Sequence, residues 1–310
     1  MNKFAFIFLT FFIIAFNCSG QISNPKIEKV FLDKSDSTKN NYTIIYPSKL
    51  PWNGYIFLIP GLGENADRVL QQTDLPIKLA QSGILTIIPT FQDGVLSFGV
   101  DDLTQKSFKE ILNDVTSKHK LLDLNFYVGG FSIGGSCAIK YAENATIKPK
   151  GIFAIDPPLD FERFYNSAKR DVRLSKENRA NQENIYMIER IEKEVGGNPS
   201  THLAEYHKLS PYSFSDTTQT AIKKLKNSPL RIYSEPDVQW WLNERNADLT
   251  SMNATDASAM INELNRLGNK NAKLIVTHDK GYRKPNNSRH PHSWSIVDND
   301  ELIRWLLELK

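Results

Sequence analysis

Short β-branched and apolar runs alternate with longer helical patterns along most of this chain, and that alternation restricts it more than any other feature. Residues 55–59 (YIFLI), 84–88 (ILTII), 126–128 (FYV), 151–155 (GIFAI), 230–234 (LRIYS) and 273–277 (KLIVT) read as strands, with two earlier ones at 27–32 and 42–46. Continuous apolar runs such as 55–59 suit strands buried on both faces, and helical patterns lie between them. The pattern requires a mostly parallel sheet flanked by helices.

The helical segments are predicted at 65–81, stopped by Gly83; at 101–122, opened by Asp101 and Asp102; at 133–142; at 257–267; and at 297–309. Pro89 is expected to end the strand 84–88. From Pro158 to Asn227 no strand pattern occurs. Charged helical stretches such as 183–194 are broken there by Gly196-Gly197, Asn198-Pro199 and Pro211. Strands bracket this region on both sides, so 158–227 reads as a helical cap inserted into one domain.

Residues 1–20 follow a different logic. Lys3 precedes an apolar run from Phe4 to Phe16, then small and polar residues, which is the pattern of an export signal. Cleavage after Gly20 would leave Gln21 first and 21–310 as the mature chain, secreted or periplasmic. Cleavage before Cys18 would instead give a lipid-anchored protein. No later segment approaches the ~20 apolar residues of a spanning helix. Cys137 is the one cysteine beyond Cys18, so core packing rather than a disulfide framework must hold the mature chain. It falls on the apolar side of the helix 133–142 and reads as an inert buried thiol. A net charge of +3 gives no reason to expect a nucleic-acid partner.

The chemistry concentrates at Val128-Gly-Gly-Phe-Ser-Ile-Gly-Gly135. A bare G-x-S-x-G arises by chance in about one chain in ten of this length; what distinguishes this one is a strand before it and a helix after it. An alkyl hydroxyl must be exposed, aimed and deprotonated to act as a nucleophile, and a sharp strand-to-helix turn supplies exposure and aim. Gly130 and Gly134 let neighbouring backbone approach Ser132, and Gly135 permits close helix-to-sheet packing. The helix start offers the Ile133 N–H to a developing oxyanion. The turn Pro60-Gly61-Leu62-Gly63-Glu64 offers a second donor, Leu62 N–H.

With GFSIGG and PGLGE in this order, the sequence resembles the α/β-hydrolase superfamily over nearly all of the mature chain. The resemblance implies an α/β-hydrolase fold with an inserted helical cap and a Ser-His-Asp triad. Family members commonly have His where Pro60 stands. The family's acid usually follows the strand after the cap, which singles out Asp237 in Glu235-Pro236-Asp237, with Glu235 as nearest rival and Asp156, one strand earlier, as another. The family's histidine lies between the last strand and the final helix; His292 is the first choice, then His290, with His278 nearly fused to the strand. The implied activity is hydrolysis of a carboxylic ester through an acyl-enzyme, without cofactor or metal. A peptidase of the same fold and an inactive hydrolase-like binding protein are the alternatives. A metal site built from His278, Asp279, His290 and His292 is disfavoured because all four lie near a single loop, with no helical face to preorganise them.

Two further features bear on the substrate. Lys280, Arg283, Lys284 and Arg289 make the histidine loop basic, as Lys169, Arg170 and Arg173 do the insertion; solvated surface is the simpler reading of both. Trp240-Trp241 would line an acyl or aryl pocket, with one of the two in the core.

Overall fold

The computed structural model describes residues 25–175 and 179–309. The proposed export signal, with Cys18, lies outside the described residues. The chain runs through β1 (Ile27–Phe31), β2 (Asn41–Ile45), β3 (Gly54–Ile59), α1 (Ala66–Gln72), α2 (Leu75–Gln81), β4 (Ile84–Thr90), α3 (Asp102–His119), β5 (Phe126–Phe131), α4 (Ile133–Glu143) and β6 (Gly151–Ile155). Three helices follow, α5 (Phe161–Leu174), α6 (Arg179–Val195) and α7 (Pro199–Leu209). The chain then continues through β7 (Leu230–Ser234), α8 (Val238–Arg245), α9 (Asn253–Arg266), β8 (Ala272–Val276), a short hairpin of β9 (Tyr282–Arg283) and β10 (Ser288–Arg289), and α10 (Asn299–Glu308).

β1 to β8 form one sheet in the order β1-β2-β4-β3-β5-β6-β7-β8. β2 is antiparallel to both its neighbours, and every pairing from β4 through β8 is parallel. Side chains alternate across the central strands, as the two-residue period of a strand demands. Tyr55, Phe57 and Ile59 of β3 join a core with Phe108 and Ile111 of α3, Tyr141 of α4 and Met260 of α9. Ile56 and Leu58 join the opposite core with Val69 of α1, Leu79 of α2 and Leu302 of α10. Both faces are therefore dry, which the unbroken apolar runs require.

Three sequence expectations change here. The segment 65–81 is two helices: Asn65 caps the first by accepting from Arg68 N–H, the chain breaks at Thr73-Asp74, and Pro76 opens the second, where its missing N–H costs nothing. Pro89 does not end β4 but lies inside it, opposite Tyr42 of β2. Pairing with β3 stops at Ile87, so Pro89 sits where one edge of the strand has no ladder to interrupt. The last helix begins only at Asn299, because Asp298 spends its carboxylate capping the Asp300 and Glu301 N–H groups.

The insertion between β6 and β7 is pinned at its root. Asp160 caps α5, and Asp256 of α9 accepts from Leu159 N–H (3.2 Å), Asp160 N–H (3.1 Å) and Arg163 Nε (2.7 Å). Its apolar side is a separate small core in which Phe161, Met187, Ile191 and Tyr206 pack with Phe98 and Ile133, and Leu62 borders it. The helices thus lie over the turn that holds Ser132.

Candidate active site

Ser132 is the apex of the turn from β5 into α4, with φ 54° and ψ −126°. A non-glycine residue at positive φ is strained, and the surroundings hold it there. Ser132 N–H donates to Ile155 O at the end of β6 (2.8 Å), and Ser132 O accepts from Gly135 and Ser136 N–H (2.9 and 3.2 Å). The glycines leave room for backbone. A Cβ on Gly134 would stand 2.3 Å from Ile59 O and 2.4 Å from Pro60 O, and one on Gly130 would stand 2.5 Å from the Gly134 carbonyl carbon. The first turn of α4 therefore rests directly on the chain leaving β3.

Two backbone donors flank that contact. In the turn after β3, Gly63 N–H donates to Val95 O (2.8 Å), Glu64 N–H to Gly61 O (3.1 Å) and Gly61 N–H to the Glu64 carboxylate (3.1 Å). Leu62 N–H and, at the head of α4, Ile133 N–H have no hydrogen-bond partner among the described residues. Glu64 Oε2 also accepts from Trp294 Nε1 (3.0 Å), so one carboxylate ties this turn to the loop before α10.

His292 lies on that loop. Its Nδ1 is 2.6 Å from Asp156 Oδ2, and its ring packs on Phe131, the neighbour of Ser132, with centroids 4.5 Å apart. Asp156 follows β6 directly at φ 47°, 8% exposed, and its other oxygen accepts from Ser234 Oγ (2.6 Å). A serine at a strained turn, an imidazole packed on the residue before that serine and a buried carboxylate on the imidazole thus lie at the carboxyl ends of β5 and β6.

No family model matches this chain, and no curated protein matches it by sequence. Solved structures do. An S-formylglutathione hydrolase from Agrobacterium tumefaciens superposes with a TM-score of 0.59 at 12% identity, covering 92% of this chain and 96% of the other. FphF, a fluorophosphonate-binding serine hydrolase of Staphylococcus aureus, gives 0.57 at 14% identity over 92% and 99%. A soluble variant of the monoglyceride lipase of Saccharomyces cerevisiae gives 0.52 at 14% identity over 92% and 95%.

The chain has the α/β-hydrolase fold. Within that fold the carboxylate in contact with His292 is Asp156, not the Asp237 of the sequence reading. Asp237 is not at His292: it caps α8 by accepting from Trp240 N–H (3.0 Å) and pairs with Arg289 Nη2 (2.6 Å). The chemistry of the following residues explains this, because Val238-Gln-Trp starts a helix at once and the helix claims the preceding carboxylate. Asp156 is followed by Pro157-Pro158, no helix begins, and its carboxylate stays free for the imidazole. That proline pair is the signal in the sequence that separates the two aspartates. Glu235, the nearest rival, is also committed elsewhere, accepting from Thr277 Oγ1 (3.1 Å), Lys280 N–H (3.0 Å), Gly281 N–H (3.1 Å) and Arg289 Nη1 (2.6 Å).

The other histidines separate clearly. His278 is exposed. His290 is buried and accepts from Arg245 Nη2 (3.2 Å) through Nε2. Burial, with the charges of Arg283, His292 and Arg245, pushes its pKa down to about 2, so it stays a neutral ring. Among the described residues no group of three or more His, Cys, Asp or Glu side chains is arranged to hold a metal. Cys137 is buried against Gln105, and burial pushes its thiol pKa well up. Trp240 and Trp241 correct the sequence reading too: neither is in the core, and both flank His290, with centroids 4.7 and 6.0 Å away.

Proposed function

We propose that this protein is a serine hydrolase that cleaves a carboxylic ester through an acyl-enzyme. The observation that carries the reading is the 2.6 Å contact between His292 Nδ1 and Asp156, made by a ring that packs on Phe131, the neighbour of a serine held at positive φ. With Nδ1–H donated to Asp156, Nε2 keeps its lone pair and is the basic face of the ring. Ser132 Oγ attacks the ester carbonyl as Nε2 takes its proton. The N–H groups of Ile133 and Leu62 hold the oxyanion, and Asp156 stabilises the imidazolium. Collapse expels the alcohol, which receives that proton. Water, deprotonated by His292, then releases the acid and returns the proton to Ser132. An ester is favoured over an amide because an alkoxide leaves more readily than an amine.

Reaction with a fluorophosphonate followed by mass spectrometry tests the reading. One adduct on Ser132 is expected, together with loss of ester turnover in Ser132→Ala. Turnover persisting in that variant would refute the mechanism. Export is a separate proposal, resting on residues 1–20 alone; the mature N-terminus is expected at Gln21, and a lipid-modified Cys18 would overturn the secreted form.

A further inference from the structure

The basic character of the histidine loop resolves unevenly in three dimensions. Arg289 is paired with Glu235 and Asp237, and Arg170 in the insertion with Asp248. Arg283 and Arg245 have no carboxylate within ion-pair distance among the described residues. Arg283 is half-buried and gives Nε and Nη2 to the carbonyl of His292 (3.2 and 2.8 Å), leaving Nη1 without a partner among the described residues. Arg245 lies over the Trp240 ring at 5.9 Å and gives Nη2 to His290, whose ring centre is 6.4 Å from that of His292. Burial, and after it the charge of Arg245, pulls the Arg283 pKa below the ordinary arginine value. The carboxylates that act on Arg283 from a distance are Glu64, already holding Gly61 and Trp294, and exposed Glu183 of α6. Two cations therefore share a part-buried rim with no matching anion in contact.

We infer that Arg245 and Arg283 form an anion subsite at the edge of the catalytic centre, and that the ester this protein takes carries a carboxylate a few bonds from the scissile carbonyl. The inference rests on the hydrolase reading for the location of that carbonyl. Each guanidinium has one edge fixed by a protein acceptor, which preorganises the other for a planar carboxylate. His290 contributes by being neutral: it anchors Arg245 without adding an opposing charge.

The test uses para-nitrophenyl pentanoate and the singly charged mono-para-nitrophenyl glutarate, which differ chiefly in a terminal carboxylate. At low salt the wild-type kcat/KM is expected to favour the glutarate ester by about tenfold, with the preference shrinking as salt screens the attraction. Arg245→Gln should bring the ratio close to one while pentanoate turnover stays within about twofold. Arg283 is left intact because it also holds the His292 carbonyl. In parallel, calorimetry on Ser132→Ala should detect free glutarate binding that Arg245→Gln abolishes. A wild-type ratio at or below one, a ratio unchanged by Arg245→Gln, or no Arg245-dependent glutarate binding would each overturn the subsite. Glutarate binding to Ser132→Ala without turnover of either ester by the wild type would support the subsite and refute the hydrolase reading.

Discussion

Asn substituted for Asp156 tests which carboxylate serves the imidazole. The carboxylate contacts Nδ1 at 2.6 Å and is buried, so the imidazolium formed during attack sits about 4 Å from a compensating charge. At an effective dielectric constant near 20 that pair is worth about 4 kcal/mol, or about three decades in rate. Asn also offers an N–H to Nδ1, which favours the tautomer with its proton on Nε2 and removes the base. The expected loss in kcat is therefore about a thousandfold to ten-thousandfold, with KM little changed. Asp237→Asn is the matched control. Asn caps a helix as well as Asp, and the lost pair with Arg289 is partly solvated and worth about 1 kcal/mol or less, so kcat should stay within a few-fold. Steady-state hydrolysis of para-nitrophenyl acetate by both variants, after thermal melts show them folded, decides the matter. An inactive Asp237→Asn beside a near-normal Asp156→Asn would refute the assignment.

Three more outcomes follow from the same geometry. Glu64→Ala removes the acceptor shared by Gly61 N–H and Trp294 Nε1, so kcat on para-nitrophenyl acetate should fall by about tenfold with an unchanged circular dichroism spectrum; unaltered kcat would show that the tie is idle. Gly134→Ala drives a methyl to 2.3 Å from Ile59 O, a backbone atom that cannot turn aside; a loss of roughly 3 kcal/mol, read as a lower midpoint in urea, is expected. His290 is neutral when folded and titrates at its ordinary value when unfolded, so the unfolded state binds the extra proton below about pH 6.5. Stability should be complete above that value and fall by up to about 1.4 kcal/mol per pH unit as acid is added towards pH 2, and His290→Gln should flatten this limb in urea titrations.

The central strands were readable along the chain because both their faces are buried, and such strands carry their signal in composition alone. Helix ends were less readable. The break at Thr73-Asp74 interrupts an apolar pattern that still has helical spacing, and α8 buries none of its residues, so it leaves no amphipathic trace. The strained turn at Ser132 was legible because its requirements are local: a strand, a turn and glycines where backbone comes within contact distance. The histidine that contacts a buried carboxylate, His292, was the first choice among the few histidines of a single loop. The carboxylate was not fixed by its order in the chain, because which aspartate reaches the imidazole depends on whether a helix takes its oxygens first. Arg283 and Arg245 were harder still. Their significance is the absence of carboxylate partners among the described residues, and pairing across 37 residues of intervening chain is settled only when the loop folds.

That the carboxylate on His292 follows β6 and not β7 has a structural counterpart. Adjacent parallel strands lie about 4.8 Å apart, so a carboxylate at either strand end can reach a histidine on a loop passing above both. With Asp156 on the imidazole, the carboxylates after β7 serve the loop itself. Glu235 gathers the Lys280 and Gly281 N–H groups and, with Asp237, neutralises Arg289. A loop tied at its start in this way can hold His292 by Arg283 on its carbonyl and Asp156 on its ring, from opposite ends of the residue. Loosening Glu235 should then harm the imidazole geometry without touching it. Glu235→Gln keeps the shape but loses the charge, so it should lower kcat less than Asp156→Asn, and its loss should grow on warming as the loop frees itself from β7.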